Sequence, residues 1–136
     1  MNKMSKLGLK IILGIGIVLI YHFAHAEEHV VKSQTYRVVT AYNVGDINQC
    51  DSDPCIDAAN TDICKALEQG EKRCAANFVP KWTVLHIDGY GKCVVTDRTN
   101  KRYRNRVDIA MKKSEYKKAL TWGRKTLMVK VLKKRK

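Results

Sequence analysis

Short runs of β-branched and aromatic residues, none longer than nine, recur along this chain with turn residues or polar stretches between them. That spacing limits the accessible folds more than any other feature. Residues 35–43, 73–78, 83–87, 92–97, 106–111 and 126–132 have the content of strands. Gly45 and Asp46 close the first, Pro80 marks a turn between the second and third, and Asp88-Gly89 is a hairpin signal into the fourth. Two segments are helical in character. Residues 61–69 carry Ile63, Ala66 and Leu67 on one side, with Asn60 as expected N-cap and Gly70 at the end. Ser114 is the expected N-cap of a second helix that runs to Trp122 and stops at Gly123. Residues 27–34 are polar and read as a loose lead-in. Six short strands and two short helices predict a mainly β fold, a small barrel.

Residues 1–26 have the three-part form of a secretory signal peptide. Lys3, Lys6 and Lys10 precede an apolar run over residues 11–20, and Ala24-His25-Ala26 supplies a cleavage site. The apolar run is well short of the roughly 20 residues a spanning helix needs. The expected exported domain is therefore residues 27–136, enough for one core. Any membrane contact is expected only through the signal segment. The cysteines at 50, 55, 64, 74 and 93 all lie in that domain, where an oxidising compartment favours disulfides. Five cannot all pair within one chain, so two bridges are expected, fastening the acidic loop between Cys50 and Cys64 onto the barrel near Cys74 or Cys93.

No metal or cofactor is expected. Zinc would want closer spacing than these cysteines have, and His86 sits between apolar neighbours. Asp51, Asp53, Asp57 and Asp62 imitate a calcium-loop spacing, but Ile56 occupies the position that needs glycine and Asp62 replaces the bidentate glutamate.

The formal net charge is +13 and is unevenly placed. From Lys101 onward 15 Lys or Arg face only Asp108 and Glu115, a net of +13, whereas residues 27–100 carry 8 basic against 11 acidic side chains, a net of −3. The basic half implies an anionic partner. For an exported chain that is anionic cell-wall polymer or membrane surface rather than nucleic acid. Residues 133–136 read as a solvated basic tail.

Residues 93–111, CVVTDRTNKRYRNRVDIAM, concentrate the candidate chemistry. Each of two strands brings one aspartate, Asp97 and Asp108, to a polar, basic connection, a place where strands fix a side chain and a loop leaves it accessible. Either carboxylate could equally be a surface ion-pair partner of Arg98 or Arg106.

The order TAY (40–42), AANFVPKWT (75–83), GYGKCVVTD (89–97), RVDIAM (106–111) and ALTWGRKTLMVKVL (119–132) resembles the three-aspartate (3D) domain of bacterial peptidoglycan lytic transglycosylases, over about residues 35–132. The resemblance implies a six-stranded double-psi β-barrel with a disulfide-fastened loop. It also implies cleavage of the bond between N-acetylmuramic acid and N-acetylglucosamine to a 1,6-anhydro product, in the periplasm or cell envelope or after secretion, alone or within a larger envelope assembly. Asp108 is then the catalytic acid and base, with Asp97 and Asn77 orienting it or the sugar. Tyr42, Asn77, Trp82, Arg98, Asn100, Tyr103 and Arg106 are the candidate substrate contacts. The chain departs from the family pattern at Asn77, which stands for the first aspartate, at Trp82, which stands for a glycine, and at Arg98-Thr99-Asn100, where the family has glycines. Those departures leave a non-catalytic peptidoglycan-binding module as the alternative. A physical conflict is also expected: the cations at 98, 101, 102, 104 and 106 would lower an Asp108 pKa that an acid needs raised.

Overall fold

The computed structural model describes residues 27–50 and 52–136; the signal-like residues 1–26 and Asp51 lie outside them. Its strands are β1 (His29–Asn43), β2 (Arg73–Ala76), β3 (Val84–Ile87), β4 (Gly91–Asp97), β5 (Arg106–Met111) and β6 (Lys125–Lys134). Its helices are α1 (Ile63–Glu68) and α2 (Tyr116–Trp122). The six strands form one closed barrel in the order β1-β5-β2-β4-β3-β6. The β1/β5 and β2/β4 pairs are parallel, whereas β2/β5, β3/β4 and β3/β6 are antiparallel. Closure leaves no unpaired sheet edge in so short a chain.

Alternation along the strands builds the interior. Val39, Leu85, Ile87, Val95, Val107, Ile109 and Val129 are fully buried in one cluster, and in β5 this turns Asp108, between Val107 and Ile109, to the opposite face. The β3–β4 hairpin turns where expected, with Gly89 at φ +78° supplying the left-handed residue such a turn needs. A second cluster joins Ile63 and Leu67 of α1 to Val44 and Ala110.

Compactness divides the described residues in two. Residues 30–133 are the barrel unit; residues 27–29 with 134–136 form a separate small unit. Within the latter, Lys134 Nζ lies 2.6 Å from Glu27 and Arg135 Nη1 2.6 Å from Glu28. Residues 133–136 are all exposed, as a solvated basic tail would be; β6 nevertheless continues to Lys134, and Lys134 and Arg135 are ion-paired at the surface.

Other expectations change for local reasons. The lead-in is strand, because β1 begins at His29 although residues 31–36 are exposed; backbone pairing, not apolar content, extends it. The cap of α1 is Asp62, whose carboxylate accepts from Lys65 N at 2.9 Å, while Asn60 adopts φ +59° in the turn before it. Ser114 lies inside a 3-10 turn (Lys113–Glu115), where Glu115 accepts from Lys112 N at 2.9 Å. Two disulfides are present, Cys55–Cys64 and Cys74–Cys93. The first ties the loop to α1 rather than to the barrel, and the second joins β2 to β4.

Candidate functional site

Register brings the two aspartates together. Ala75 in β2 is paired on one side with Asp108 in β5 and on the other with Asp97 in β4. The second pairing depends on a bulge. Cys74 stands opposite Val95, so an unbroken ladder would set Ala75 against Thr96; the register shift between Cys74 and Ala75 sets it against Asp97 instead. Thr96 is consequently buried and Asp97 faces out. Because the residue between the carboxylates is an alanine, no side chain screens one from the other. Thr40 stands opposite Asp108 in the parallel β1/β5 pair, and period-two alternation puts Tyr42 on the same face.

These residues floor a cleft of about 800 Å³. Tyr42, Ala75, Asp97 and Asp108 come from the barrel; Arg98, Thr99, Asn100, Lys101 and Tyr103 form one wall, and Gln49 and Ala58 mark the limits of the residues that contribute to the other. Cys50, Ser52, Asp53, Ile56 and Asp57 belong to that second wall.

Asp97 is held by three donors. Tyr42 donates its hydroxyl to Oδ2 at 2.8 Å, and the backbone N–H groups of Ala58 and Arg98 donate to Oδ1 at 3.1 and 2.9 Å. Asp108 is treated differently: its described hydrogen bond is from the Thr40 hydroxyl to Oδ1. Burial is the main cause that pushes its pKa from 3.8 to about 6; Arg106 opposes the rise and the charge of Asp97 adds to it. Desolvation therefore outweighs the basic sequence context. The Tyr42 hydroxyl is driven well above its usual pKa by burial first and then by Asp97, so it remains a donor.

Arg106 does lower the Asp108 pKa, but by less than burial raises it, and other basic neighbours are directed elsewhere. Arg98 Nη1 reaches away to the carbonyls of Ala76 and Val79. Arg102 and Arg106 lie over the Tyr103 ring, 4.7 and 3.6 Å from its centroid.

Of the remaining sequence candidates, Asn77, Trp82 and Arg106 do not line the cleft, and Arg106 lies instead in a neighbouring groove. The Asn77 amide donates to the carbonyls of Thr99 and Asn100 at 3.1 Å each and to that of Tyr103 at 3.4 Å, and its oxygen accepts from Thr99 N at 3.2 Å. It organises the 99–103 wall from behind. Trp82 is exposed, with φ +73°, a left-handed conformation that glycine adopts most readily; Arg73 lies 5.4 Å from its ring centre. Asn100 uses its side chain to accept from Arg102 N at 3.1 Å.

The acidic loop spends its carboxylates on its own backbone. Asp57, buried, accepts from Ala59 N, Thr61 N and the Thr61 hydroxyl at 3.1, 2.8 and 2.6 Å; Asp53 accepts from Cys55 N at 2.9 Å. Among the described residues, the group with metal-ligand proximity is Cys55, Asp62 and Cys64, and its two sulfurs are joined in a disulfide.

Thr40 and the loop wall belong to the candidate site without having been expected there from the sequence. Thr40 was detectable: alternation in Thr40-Ala41-Tyr42 puts it beside Tyr42. No comparable signal marks Ile56 or Asp57. No protein-family model, no curated protein and no solved structure matches this chain.

Proposed function

We propose that this chain is an exported peptidoglycan lytic transglycosylase whose barrel is the double-psi barrel of the three-aspartate family. The observation that carries the reading is Asp108: a desolvated carboxyl with a pKa of about 6, on the floor of an open cleft, beside a second carboxylate fixed by three donors. That pairing gives one group able to hold a proton and another able to hold negative charge. The two disulfides are compatible with an oxidising, exported location.

In the proposed reaction, protonated Asp108 gives its proton to the oxygen linking muramic C1 to the departing N-acetylglucosamine. The C1–O bond breaks through an oxocarbenium-like state, whose positive charge the two carboxylates favour. The Asp108 carboxylate then takes the proton of the muramic C6 hydroxyl as O6 bonds to C1, closing the 1,6-anhydro ring. Asp108 ends protonated as it began, and no water is consumed. Thr40 orients the carboxyl, and Tyr42 keeps Asp97 in place.

The alternative is a wall-binding module without turnover. It is favoured by Asn77, which replaces the first family aspartate and is committed to loop carbonyls. Incubation with purified peptidoglycan, followed by mass spectrometry for 1,6-anhydro-muropeptides, separates the two. Product that disappears in Asp108→Asn supports the enzyme. Pelleting with the wall but no anhydro product from the parent protein selects the binding module.

A further inference from the structure

A second groove, of about 510 Å³, lies beside the first and shares Tyr103 with it. Its walls carry Arg37, Arg102, Arg104, Arg106 and Arg124 and no acidic residue. Elsewhere in the molecule cations have carboxylate partners within 4.0 Å, as Arg73, Lys112, Lys118 and Lys130 do. Among the described residues none of these five arginines forms such a pair.

The guanidiniums are also placed in advance. Arg102 and Arg106 stack on Tyr103, and Arg37 lies 3.4 Å from the Phe78 ring centre while donating to Asn105 Oδ1 at 3.1 Å. A stacked guanidinium keeps its in-plane N–H fork available, and that fork matches the two oxygens of a carboxylate or phosphate. Burial without an acidic neighbour lowers the Arg37 pKa, so its charge is held at a cost an anion would relieve.

We propose that this groove binds the carboxylates of the peptide arm carried by the glycan strand in the aspartate cleft. The inference rests on the glycan reading of that cleft. A peptide branching from muramic acid is an anionic substituent attached to the polymer itself, and Tyr103 is where the two surfaces meet. The arginines would then select peptide-bearing over stripped glycan and hold the strand in register over Asp108.

The test measures binding of the protein to four probes at low salt. They are a peptide-bearing glycan oligosaccharide, the same glycan with its peptides removed, the free acidic peptide, and a single-stranded DNA oligonucleotide. The parent protein should prefer peptide-bearing over stripped glycan by about tenfold, the equivalent of two modest charge pairs. The double variant Arg102→Gln/Arg124→Gln should lose that preference while binding stripped glycan as the parent does. Arg104→Gln, changing an exposed loop residue, provides a second variant if the double one melts early. Equal binding of both glycans by the parent, or a preference that survives in the variants, overturns the groove proposal and leaves the cleft reading standing. Arginine-dependent binding of free peptide without binding of either glycan supports carboxylate recognition by the groove and overturns its link to a glycan cleft. DNA held more tightly than peptide-bearing glycan, in an arginine-dependent way, overturns the carboxylate assignment.

Discussion

Replacing Asp108 by asparagine should make the protein more stable at neutral pH while removing the turnover proposed for it. The folded-state pKa of Asp108 is about 6 against an ordinary value of 3.8. At about 1.4 kcal/mol per pH unit, ionised Asp108 costs the folded state about 3 kcal/mol relative to an unperturbed carboxyl. Solvent in the open cleft reduces this, so roughly 1.5–3 kcal/mol is expected. The sign follows from proton binding. Between pH 3.8 and about 6 the folded form holds a proton that the unfolded form has released, so wild-type stability falls as pH rises through that window and the penalty is complete above it. Asparagine has no charge to desolvate and still accepts from Thr40. Thermal melts of both proteins should therefore diverge from pH 4 upward, with Asp108→Asn higher by on the order of 5–10 °C at pH 7.5. Anhydro-muropeptide release should be lost in the same protein. Equal melting temperatures across the range, or a gap that is largest at low pH, would refute the claim that burial sets this carboxyl.

The pH dependence of kcat/KM should show activity falling above an apparent pKa near 6. Asp97→Asn removes a like charge and should move that limb down, whereas Arg106→Ala removes the opposing cation and should move it up; rate profiles of the two variants check both directions. Asn77→Asp should destabilise by roughly 1–3 kcal/mol, because a carboxylate cannot donate to the carbonyls of Thr99, Asn100 and Tyr103. Amide exchange over residues 99–103 should rise in that variant. Replacing Cys74 and Cys93 together by alanine should cost about 3 kcal/mol, since the bridge closes a loop of sequence separation 19 between β2 and β4; denaturant midpoints measure it.

Local chemistry made the strand positions legible, while long-range pairing hid the site. Valine-rich alternation marks β5 and β6, and Asp88-Gly89 marks the hairpin, because those signals lie within a few residues. Nothing local reveals the bulge between Cys74 and Ala75, yet it is what turns Asp97 rather than Thr96 toward Asp108. The cleft walls join Cys50, Asp53 and Asp57 to Arg98, Asn100 and Tyr103, and the arginine groove joins Arg37 and Arg124 to a loop more than 60 residues from the former. The charge argument held for Arg106, which lowers the Asp108 pKa, but burial outweighs it. Counting cations near Asp108 in sequence ignores direction, and Arg98 points to backbone carbonyls while Arg102 lies against an aromatic ring.

Position 77 and the loop that follows β4 are mechanically linked: that loop brings the carbonyls of Thr99, Asn100 and Tyr103 toward residue 77. Converging carbonyls require a donor, which asparagine has and ionised aspartate lacks. The amide at 77 is thus the partner that this loop sequence demands. The cleft consequently holds Asp97 and Asp108 without a carboxylate from position 77, and like-charge repulsion has fewer contributors with which to keep a proton on Asp108. Burial must supply the remainder, and it is the largest cause of the raised pKa. A carboxyl tuned by desolvation depends on how dry its surroundings are. Under the reaction proposed above, substrate that fills the cleft and displaces water would raise the Asp108 pKa further, keeping its proton in place until the glycosidic oxygen is positioned to receive it.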